Sequence, residues 1–238
     1  MTGTIVNVAL ILFGGLFFHF RKRELSVENQ QLTRLVIVGL VLYSGFRMLW
    51  SGLSGGPLHE IGQLGIVFVA MSLGRILGSV LKIQSGLNHM AVFAKQELTR
   101  STERGSNTKS GFLVATGLFC VTPLAVIGGI LEGTNGDYHP LVIKAMMDGM
   151  ATISFARTFG LSVILSAIPV LALQGTITLI TKSIFLSVGN PEAIGALTAT
   201  AGCLIFSVIL LVFGIQKIKL GDYLPSLILA PLLAQLWW

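Results

Sequence analysis

The sequence predicts an all-α protein, a polytopic bundle of transmembrane helices that forms one membrane domain over residues 1–238. Two observations lead to this fold class. Hydrophobic residues make up 53% of the chain and charged residues only 11%, whereas a soluble globular protein carries roughly 25% charged residues. Apolar runs of about the length needed to cross a bilayer also recur along the whole chain, with short hydrophilic gaps between them. The lipid bilayer is therefore the expected surroundings of most side chains.

Eight segments are candidates for membrane crossings, because a helix needs about 20 mostly apolar residues to span the hydrocarbon layer. They are residues 3–20, 34–51, 61–82, 111–131, 141–156, 160–182, 194–215 and 222–237. The fifth and the eighth are short. The sequence therefore predicts seven or eight crossings, of which eight agrees better with the charge pattern.

Basic residues set the predicted orientation. They cluster in the gaps after the first, third, fifth and seventh candidate crossings, and Glu132 and Asp137 make one of the opposite gaps acidic. With eight crossings all these basic gaps face one side, which the positive-inside rule assigns to the cytoplasm. Both termini are then expected outside. If the fifth segment only dips into the membrane, Lys217 and Lys219 move to the outer side. The basic gaps also account for the net charge of +6, and they share no common face, so no nucleic-acid partner is expected.

The segment 83–110 is the one long hydrophilic gap. Apolar residues recur in it at helical spacing, at Leu87, Met90, Ala91, Ala94 and Leu98. This stripe predicts a short amphipathic helix on the cytoplasmic leaflet, and a plain solvated loop is the alternative. Residues 100–111 are rich in Ser, Thr, Gly and charge, which predicts a flexible link.

Glycine spacing suggests an inverted repeat of about three helices. Gly3 precedes Gly14-Gly15 by the same spacing that Gly117 precedes Gly128-Gly129, and the first and fourth crossings run in opposite directions in the eight-crossing topology. A second register pairs the first crossing with the sixth and is inverted too. Because glycine is abundant, chance similarity is the alternative, and the sequence does not choose between the registers.

The fifth segment contains the strongest signal of a functional site. Lys144, Asp148 and Thr152 are spaced i, i+4, i+8 and share one helical face. A polar group in hydrocarbon is costly unless it has a partner, and a lysine and an aspartate one turn apart can pair. This face either lines a pathway through the membrane or holds a self-neutralising pair that fixes the helix in the bundle.

Two prolines lie mid-way along predicted crossings. Pro123 in the fourth and Pro169 in the sixth each remove a backbone hydrogen bond and free the carbonyl one turn earlier, at Phe119 and Leu165. Gln174 follows the second proline. Many transporters form a midplane site from broken helices with polar side chains nearby, although prolines also simply bend membrane helices.

Three further features have two interpretations each. Asn7, in the first crossing, either bonds a neighbouring helix or contacts a substrate. Glu132, at the outer mouth of the fourth crossing, could attract cations, but we expect it to be solvated. Gly74 and Gly78 form a G-x-x-x-G motif, which favours close helix packing within the bundle or in a homo-oligomer.

No catalytic, metal or cofactor motif stands out, so an enzyme is not expected. The four histidines lie near membrane edges or in gaps, and Asp148 is the one clear membrane aspartate. The sequence has no H-E-x-x-H, Walker loop or dinucleotide-binding fingerprint.

Short motifs along nearly the whole chain carry a resemblance to a known family. They are Gly3-Thr4-Ile5-Val6-Asn7 with Gly14-Gly15, Phe119-Cys120 with Gly128, Gly136-Asp137, Lys144 with Asp148-Gly149, Leu165 to Val170 with Gln174-Gly175, Gly214-Ile215, Lys217-Ile218, Leu224-Pro225 and Ala230-Pro231. Together they resemble the YqgA-like family of bacterial membrane proteins, the domain of unknown function 554. The resemblance implies a multi-spanning protein of the bacterial inner membrane, often regarded as a transporter. It implies no substrate and no catalytic residue.

The leading functional hypothesis is a transporter or channel for a small solute or ion. Its site would lie near the midplane, between the fourth, fifth and sixth crossings, and be lined by Lys144, Asp148, Asn7, Gln174 and Thr152. Asp148 would bind a cation or proton, and Lys144 would tune it or meet an anion. The alternative is a non-transporting membrane scaffold or sensor that acts through the segment 83–110.

Overall fold

The fold is all-α, as predicted. The computed structural model describes residues 1–21, 26–53, 56–104, 108–188, 190–212 and 218–237, and over these residues it contains α-helices, two 3-10 segments and no strand. The helices are α1 (Thr2–Arg21), α2 (Val27–Gly52), α3 (Pro57–Val80), α4 (Ile83–Arg104), α5 (Thr108–Val121), α6 (Pro123–Asn135), α7 (His139–Phe159), α8 (Ala167–Val188), α9 (Pro191–Val212) and α10 (Ser226–Trp237). The 3-10 segments are Gly160–Ser166 and Leu220–Tyr223. Of the basic residues that set the predicted orientation, Lys22, Arg23 and Lys217 lie outside the described residues.

Five helical stretches are long and apolar enough to cross a membrane, or six if the bent pair α5 and α6 forms one span. One of them runs from His139 to Phe185 over 47 residues, which is about 70 Å of helix and more than twice the thickness of the hydrocarbon layer. Gly160, which has a φ of 67°, ends α7 and divides this stretch into two helices, α7 and α8. α10 has only 12 residues. The number of crossings therefore stays a prediction.

The fifth predicted segment is longer than the sequence suggested. α7 has 21 residues, or about 31 Å of helix, whereas the predicted segment covered only residues 141–156. It begins with Pro140 in its first turn, where the missing N–H costs little, and it includes Arg157 in its last turn, where a cation interacts well with the helix dipole. α7 is thus long enough for a full crossing.

Glycine contacts show which neighbouring helices run in the same direction. A Cβ on Gly3 would lie 2.6 Å from the Leu141 Cβ, and one on Gly14 would lie 2.5 Å from the Gly149 carbonyl oxygen. The contacts advance together along α1 and α7, so these helices are parallel. α6 and α8 are parallel for the same reason, since Gly129 and Gly133 pack against successive turns of α8.

Other pairs are antiparallel. Gly45 packs against Gly202, whereas Gly52, further along α2, packs against the earlier residue Gly195 of α9. α3 and α10 are antiparallel as well, since Gly74 meets Ser226 and Gly78 meets Asp222. All these directions agree with eight segments that alternate along the chain.

The packing favours the second register of the inverted repeat. That register pairs α1 with α8, α2 with α9 and α3 with α10, and each of these pairs is in contact. α1 and α8 are antiparallel, because Gly15 meets Ile164 whereas Gly175 meets Met1. Equivalent neighbours match too, since α1 packs on α7 and its counterpart α8 packs on α6. These contacts agree with an inverted repeat that relates α1–α3 to α8–α10, and the repeat stays a prediction.

The segment with the amphipathic stripe forms the helix α4, and part of the stripe packs on protein, while Met90 is 51% exposed. Contact of α4 with lipid stays a prediction. Ala94 is fully buried, and a Cβ on Gly117 of α5 would lie 3.5 Å from the Ala94 Cβ. Leu87 approaches Gly221. The small side chains allow α4 to pack closely on α5. The predicted link is helical at residues 100–104 and 108–111, whereas residues 105–107 and the side chain of Leu98 are not described.

The two prolines differ. Thr122 separates α5 from α6, which begins at Pro123, and the two helices are bent by 59°. The predicted break in the fourth crossing is therefore confirmed. Pro169 lies in the first turn of α8, just after the 3-10 segment Gly160–Ser166. There it follows the change from 3-10 to α-helix, and a kink at Pro169 stays a prediction.

Candidate functional site

A buried ion pair lies at the middle of α7. Lys144 is 1% exposed and Asp148 5% exposed, and the Lys144 Nζ donates to the Asp148 Oδ2 one turn along the helix. Asn7 of α1 also donates to Oδ2, with its Nδ2 3.1 Å away. The Thr152 hydroxyl donates to the Asp148 main-chain carbonyl at 2.8 Å and extends this polar face by one turn. Four of the five predicted site residues therefore form one connected group.

Glycine brings α1 close enough for Asn7 to reach Asp148. The Gly14 backbone lies against the Gly149 carbonyl, so closely that a Cβ at Gly14 would overlap it. Gly149 in turn lies against Leu10, where a Cβ would be 3.2 Å from the Leu10 carbonyl oxygen. Small residues permit such close approach of membrane helices, and Asn7, two turns before Gly14, faces α7 as a result.

The ion pair borders a cavity of about 250 Å³ at the break between α5 and α6. Its walls are Thr122, Pro123, Leu124, Lys144, Met147, Asp148, Val208 and Leu220. Most of these residues are apolar, so the two charges are the strongest polar features of the cavity. α6 begins at this wall, and a helix N-terminus carries a partial positive charge.

A second cavity continues from Met147 toward the start of α2. It has a volume of about 340 Å³ and is lined by Gln30, Arg34, Ile37, Met147, Met150, Ala151, Ile153 and Ser154. Met147 lines both cavities, so the two cavities meet at this side chain, between the ion pair and the Arg34 end of the bundle.

Gln174 is buried but is not joined to the ion pair. It is 0% exposed, and within the described part of the chain neither its Oε1 nor its Nε2 has a hydrogen-bond partner. The Thr178 hydroxyl, one turn further along α8, is also buried without a partner among the described residues. The prediction that Gln174 lines the same site therefore stays a prediction.

Glu132 is a buried residue that the sequence analysis placed in solvent, and that expectation is wrong. It is 6% exposed. Its Oε1 accepts a hydrogen bond from the Gly3 N–H at 2.7 Å, its Oε2 accepts one from the Thr4 hydroxyl at 3.2 Å, and the Met1 amino group lies 3.2 Å from Oε1. The first N–H groups of a helix have no partner within it, so a carboxylate is stabilised there. Thr4, on the same face of α1 as Asn7, was the available sequence signal.

Glu132 borders a cavity at its end of the bundle, which we call the Glu132 cavity. The volume is about 650 Å³, and the lining residues are Met1, Thr2, Glu132, Gly133, Thr134, Gly136, Thr178, Leu179, Lys182, Phe185 and Ile194.

A second carboxylate, Asp137, organises the loop between α6 and α7 at the same end. Its Oδ2 accepts from Arg47 of α2, and its Oδ1 lies 2.7 Å from the His139 Nδ1. Burial raises the pKa of Asp137, but the hydrogen bonds from His139 and Arg47 outweigh burial and leave that pKa below its usual value. The carboxylate is therefore ionised at neutral pH and ties α2 to the start of α7.

Within the described residues, no group of three or more His, Cys, Asp or Glu side chains could hold a metal ion. Cys120 and Cys203 are free thiols.

Long apolar helices packed around a buried ion pair define a polytopic α-helical membrane protein. The chain belongs to the family described as protein of unknown function DUF554, whose model matches residues 2–235, and the resemblance noted from sequence is thereby confirmed. The chain is similar to the uncharacterized membrane protein YdfK of Bacillus subtilis (strain 168), with 29% identity over 234 residues that cover 97% of this chain and 94% of YdfK. It is also similar to the uncharacterized protein YqgA of Escherichia coli (strain K12), with 25% identity over 238 residues that cover 99% of this chain and 97% of YqgA. No solved structure matches the chain significantly.

Proposed function

We propose that this protein is a transporter or channel of the bacterial inner membrane for a small solute or ion, with its binding site at Lys144, Asp148 and Asn7. One observation supports this most strongly. An ion pair that is almost fully buried faces a cavity at a helix break, half-way along α7. Ionisable groups inside membrane segments mark ion and substrate pathways more often than structural sites.

Stability alone is a weak reason for such a pair. Removing two charges from water costs several kcal/mol per ion, and the attraction between them repays this only in part. An apolar pair of similar volume would hold α7 in the bundle at least as well. A binding role gives the two charges a function that apolar residues cannot supply.

The residues have distinct roles in this proposal. Asp148 binds a cation or proton, or the positive group of a solute. Lys144 neutralises Asp148 when the site is empty and gives way when a ligand arrives. The Asn7 amide keeps the carboxylate oriented, because it donates to the same oxygen as Lys144. The Lys144 Nζ also lies 6.0 Å from the centroid of the Phe119 ring, and a cation is attracted to the face of an aromatic ring at that distance.

The charge pattern supports an orientation for this path. The Arg34 end of the bundle faces the cytoplasm by the positive-inside rule, and the Glu132 end and both termini face outward. The cavities at Met147 then lead from the ion pair toward the cytoplasm, and the Glu132 cavity opens to the outside.

The test is flux in proteoliposomes. A thermal-shift screen of salts, amino acids and sugars identifies a ligand, since a ligand that binds the folded state raises its apparent stability. We expect Asp148→Asn to abolish flux of that ligand while the variant stays folded. Thr200→Val is the matched control, because Thr200 is fully buried in α9 and its hydroxyl donates to the Ala196 carbonyl, away from the cavities. Undiminished flux in Asp148→Asn rules out the proposed role.

A scaffold or sensor is the second candidate, and one feature of α4 favours it. Met90, Val92 and Phe93 are each about half exposed, so α4 presents apolar side chains beyond those that it packs on α5. Removal of the segment 83–110 would abolish the cellular effect of a scaffold. A transporter with the same deletion that still folds would keep its flux.

A further inference from the structure

We infer that a groove on the outer face of α3 binds an anionic phospholipid, and that Arg75 holds the phosphate of its headgroup. The groove has a volume of about 680 Å³ and is lined by seven residues of α3 between Phe68 and Val80 and by Tyr223. We call it the Arg75 groove. It shares no residue with the two cavities that meet at Met147, so the inference does not rest on the proposed function.

An arginine without a carboxylate partner is the main observation. α3 is long and apolar enough to cross a membrane, and Arg75 lies five positions before its last residue, Val80, which is about 7.5 Å along the helix axis. Ionisable residues within membrane segments usually face the bundle interior and pair with one another. Arg75 is instead exposed, and it forms no ion pair or hydrogen bond with any residue that the structure describes.

The surroundings of Arg75 on α3 are those of a lipid-facing surface. Ile76 is 61% exposed and Val80 72% exposed, and both line the groove with Arg75. A long arginine side chain on such a surface extends toward the membrane interface and keeps its charged end at the level of the headgroups. The guanidinium therefore lies where lipid phosphates are found.

Tyr223 holds the guanidinium at the edge of the groove. The Arg75 Cζ lies 5.9 Å from the centroid of the Tyr223 ring, a distance at which the ring face attracts a cation. This contact leaves the N–H groups of the guanidinium fork available, and a phosphate accepts two parallel hydrogen bonds from such a fork. Ser79 and Tyr223 also bring hydroxyl groups to the groove, and neither hydroxyl has a hydrogen-bond partner in the described part of the chain.

The charges at this end of α3 favour an anion. Asp222 precedes Tyr223, but it is only 7% exposed, and its Oδ1 accepts a hydrogen bond from the Gln84 main-chain N–H at 3.0 Å. Lys82 follows the end of α3 and Lys219 precedes the 3-10 segment Leu220–Tyr223, and both lysines are exposed. With Arg75, these positive charges outnumber the one buried carboxylate, so a negatively charged headgroup is complementary to this end.

The length of the groove suits the apolar part of a lipid. Phe68 and Val80 are twelve positions apart, or about 18 Å along the helix, whereas the hydrocarbon of one leaflet is about 15 Å deep. Phe68 and Met71 line the part beyond Arg75, where an acyl chain would pack. The positive-inside rule assigns the Lys82 end to the cytoplasm, and basic pockets on the cytoplasmic side of membrane helices bind anionic headgroups.

Native mass spectrometry of the purified full-length protein in a neutral detergent tests this site. The protein is mixed with equal amounts of phosphatidylglycerol and phosphatidylcholine that carry the same acyl chains. We expect phosphatidylglycerol to bind preferentially. We expect Arg75→Gln to weaken this binding about tenfold or more, since hydrogen bonds to a charged group contribute that much. Lys95→Gln is the matched control, because it removes one exposed positive charge from α4, outside the groove, and it should bind phosphatidylglycerol as the wild type does.

Two further measurements make the test specific. Arg75→Lys keeps the charge but lacks the fork of donors, so it should also weaken the binding of phosphatidylglycerol, and it replaces Arg75→Gln if that variant does not fold. Thermal unfolding in phosphatidylcholine checks the folding of each variant. Glycerol 3-phosphate in large excess should leave the lipid bound, because the apolar part of the groove contributes to its binding.

Several results would overturn the inference. They are equal binding of the two lipids by the wild type, undiminished binding of phosphatidylglycerol in a folded Arg75 variant, and an equal loss in Lys95→Gln. Displacement by glycerol 3-phosphate would assign the groove to a free phosphate ester, and a mass of two copies without bound lipid would assign this face to a homo-oligomer. Flux is not measured in this experiment, so failure of the proposed function leaves its outcome unchanged.

Discussion

The Lys144–Asp148 pair allows a quantitative prediction about stability. In Lys144→Met the apolar stem is kept, but Asp148, only 5% exposed, loses its counter-ion and keeps only the Asn7 amide as a side-chain donor among the described residues. Breaking a buried pair by removal of one partner costs about 3–5 kcal/mol. Each kcal/mol shifts the melting temperature of a protein of this size by roughly 2–4 °C. We therefore expect Lys144→Met to lower the melting temperature by about 6–20 °C.

Removal of both charges should restore most of this loss. In the double variant Lys144→Met/Asp148→Leu no buried charge is left unpaired, and replacement of a buried ion pair by apolar residues is often neutral or stabilising by about 1–4 kcal/mol. The assay is thermal unfolding of the wild type, Lys144→Met, Asp148→Leu and the double variant in one detergent at pH 7. The reasoning is refuted if Lys144→Met melts within about 2 °C of the wild type, or if the double variant is as unstable as Lys144→Met.

Two further predictions concern packing and pH. Gly78→Ala should destabilise the protein by about 2 kcal/mol or more, because the new Cβ would overlap the Asp222 main chain. Gly39→Ala in α2, with nothing within 4 Å of the new Cβ, should instead stabilise it by up to about 1 kcal/mol. Thermal unfolding of both variants checks this, and equal effects would contradict the close packing of α3 on the 3-10 segment Leu220–Tyr223. Asp137→Asn should destabilise the protein near pH 7, and the difference should shrink as the pH falls below about 4. The reason is that the pKa of Asp137 is lowered in the folded state, so its contribution is complete above the unfolded value of about 3.9 and is lost as the pH falls toward the lower folded pKa. Unfolding curves from pH 7 to pH 3 measure this, and a difference that stays constant over this range would contradict it.

The fold class was predictable because it depends on composition and on the length of apolar runs. The pair on α7 was predictable because the spacing of Lys144 and Asp148 follows from helix geometry alone. The break at Pro123 was predictable because proline lacks the N–H that an α-helix interior needs. Each of these depends on residues that are close in sequence.

The errors concern features that depend on distant residues. Glu132 was expected in solvent, but the start of α1, about 130 positions away, packs on it and supplies its donors. The stripe on α4 could not show which part packs on protein, because an apolar face has the same pattern whether lipid or α5 covers it, and Ala94 packs on α5. Pro169 was expected within one continuous helix, but the 3-10 segment Gly160–Ser166 precedes it and the proline falls in the first turn of α8.

The central claim is that water or a solute reaches the buried ion pair through the cavities at Met147. The most direct measurement is the reaction of Met147→Cys with a charged, membrane-impermeant thiol reagent, in a variant whose Cys120 and Cys203 are replaced by alanine. Ile127→Cys is the control, because Ile127 is fully buried in the core and lines none of the cavities described above. A water-accessible path predicts that Met147→Cys is labelled from one side of the membrane and Ile127→Cys from neither. A cysteine at 147 that reacts from neither side would mean that the bundle is dry around the pair.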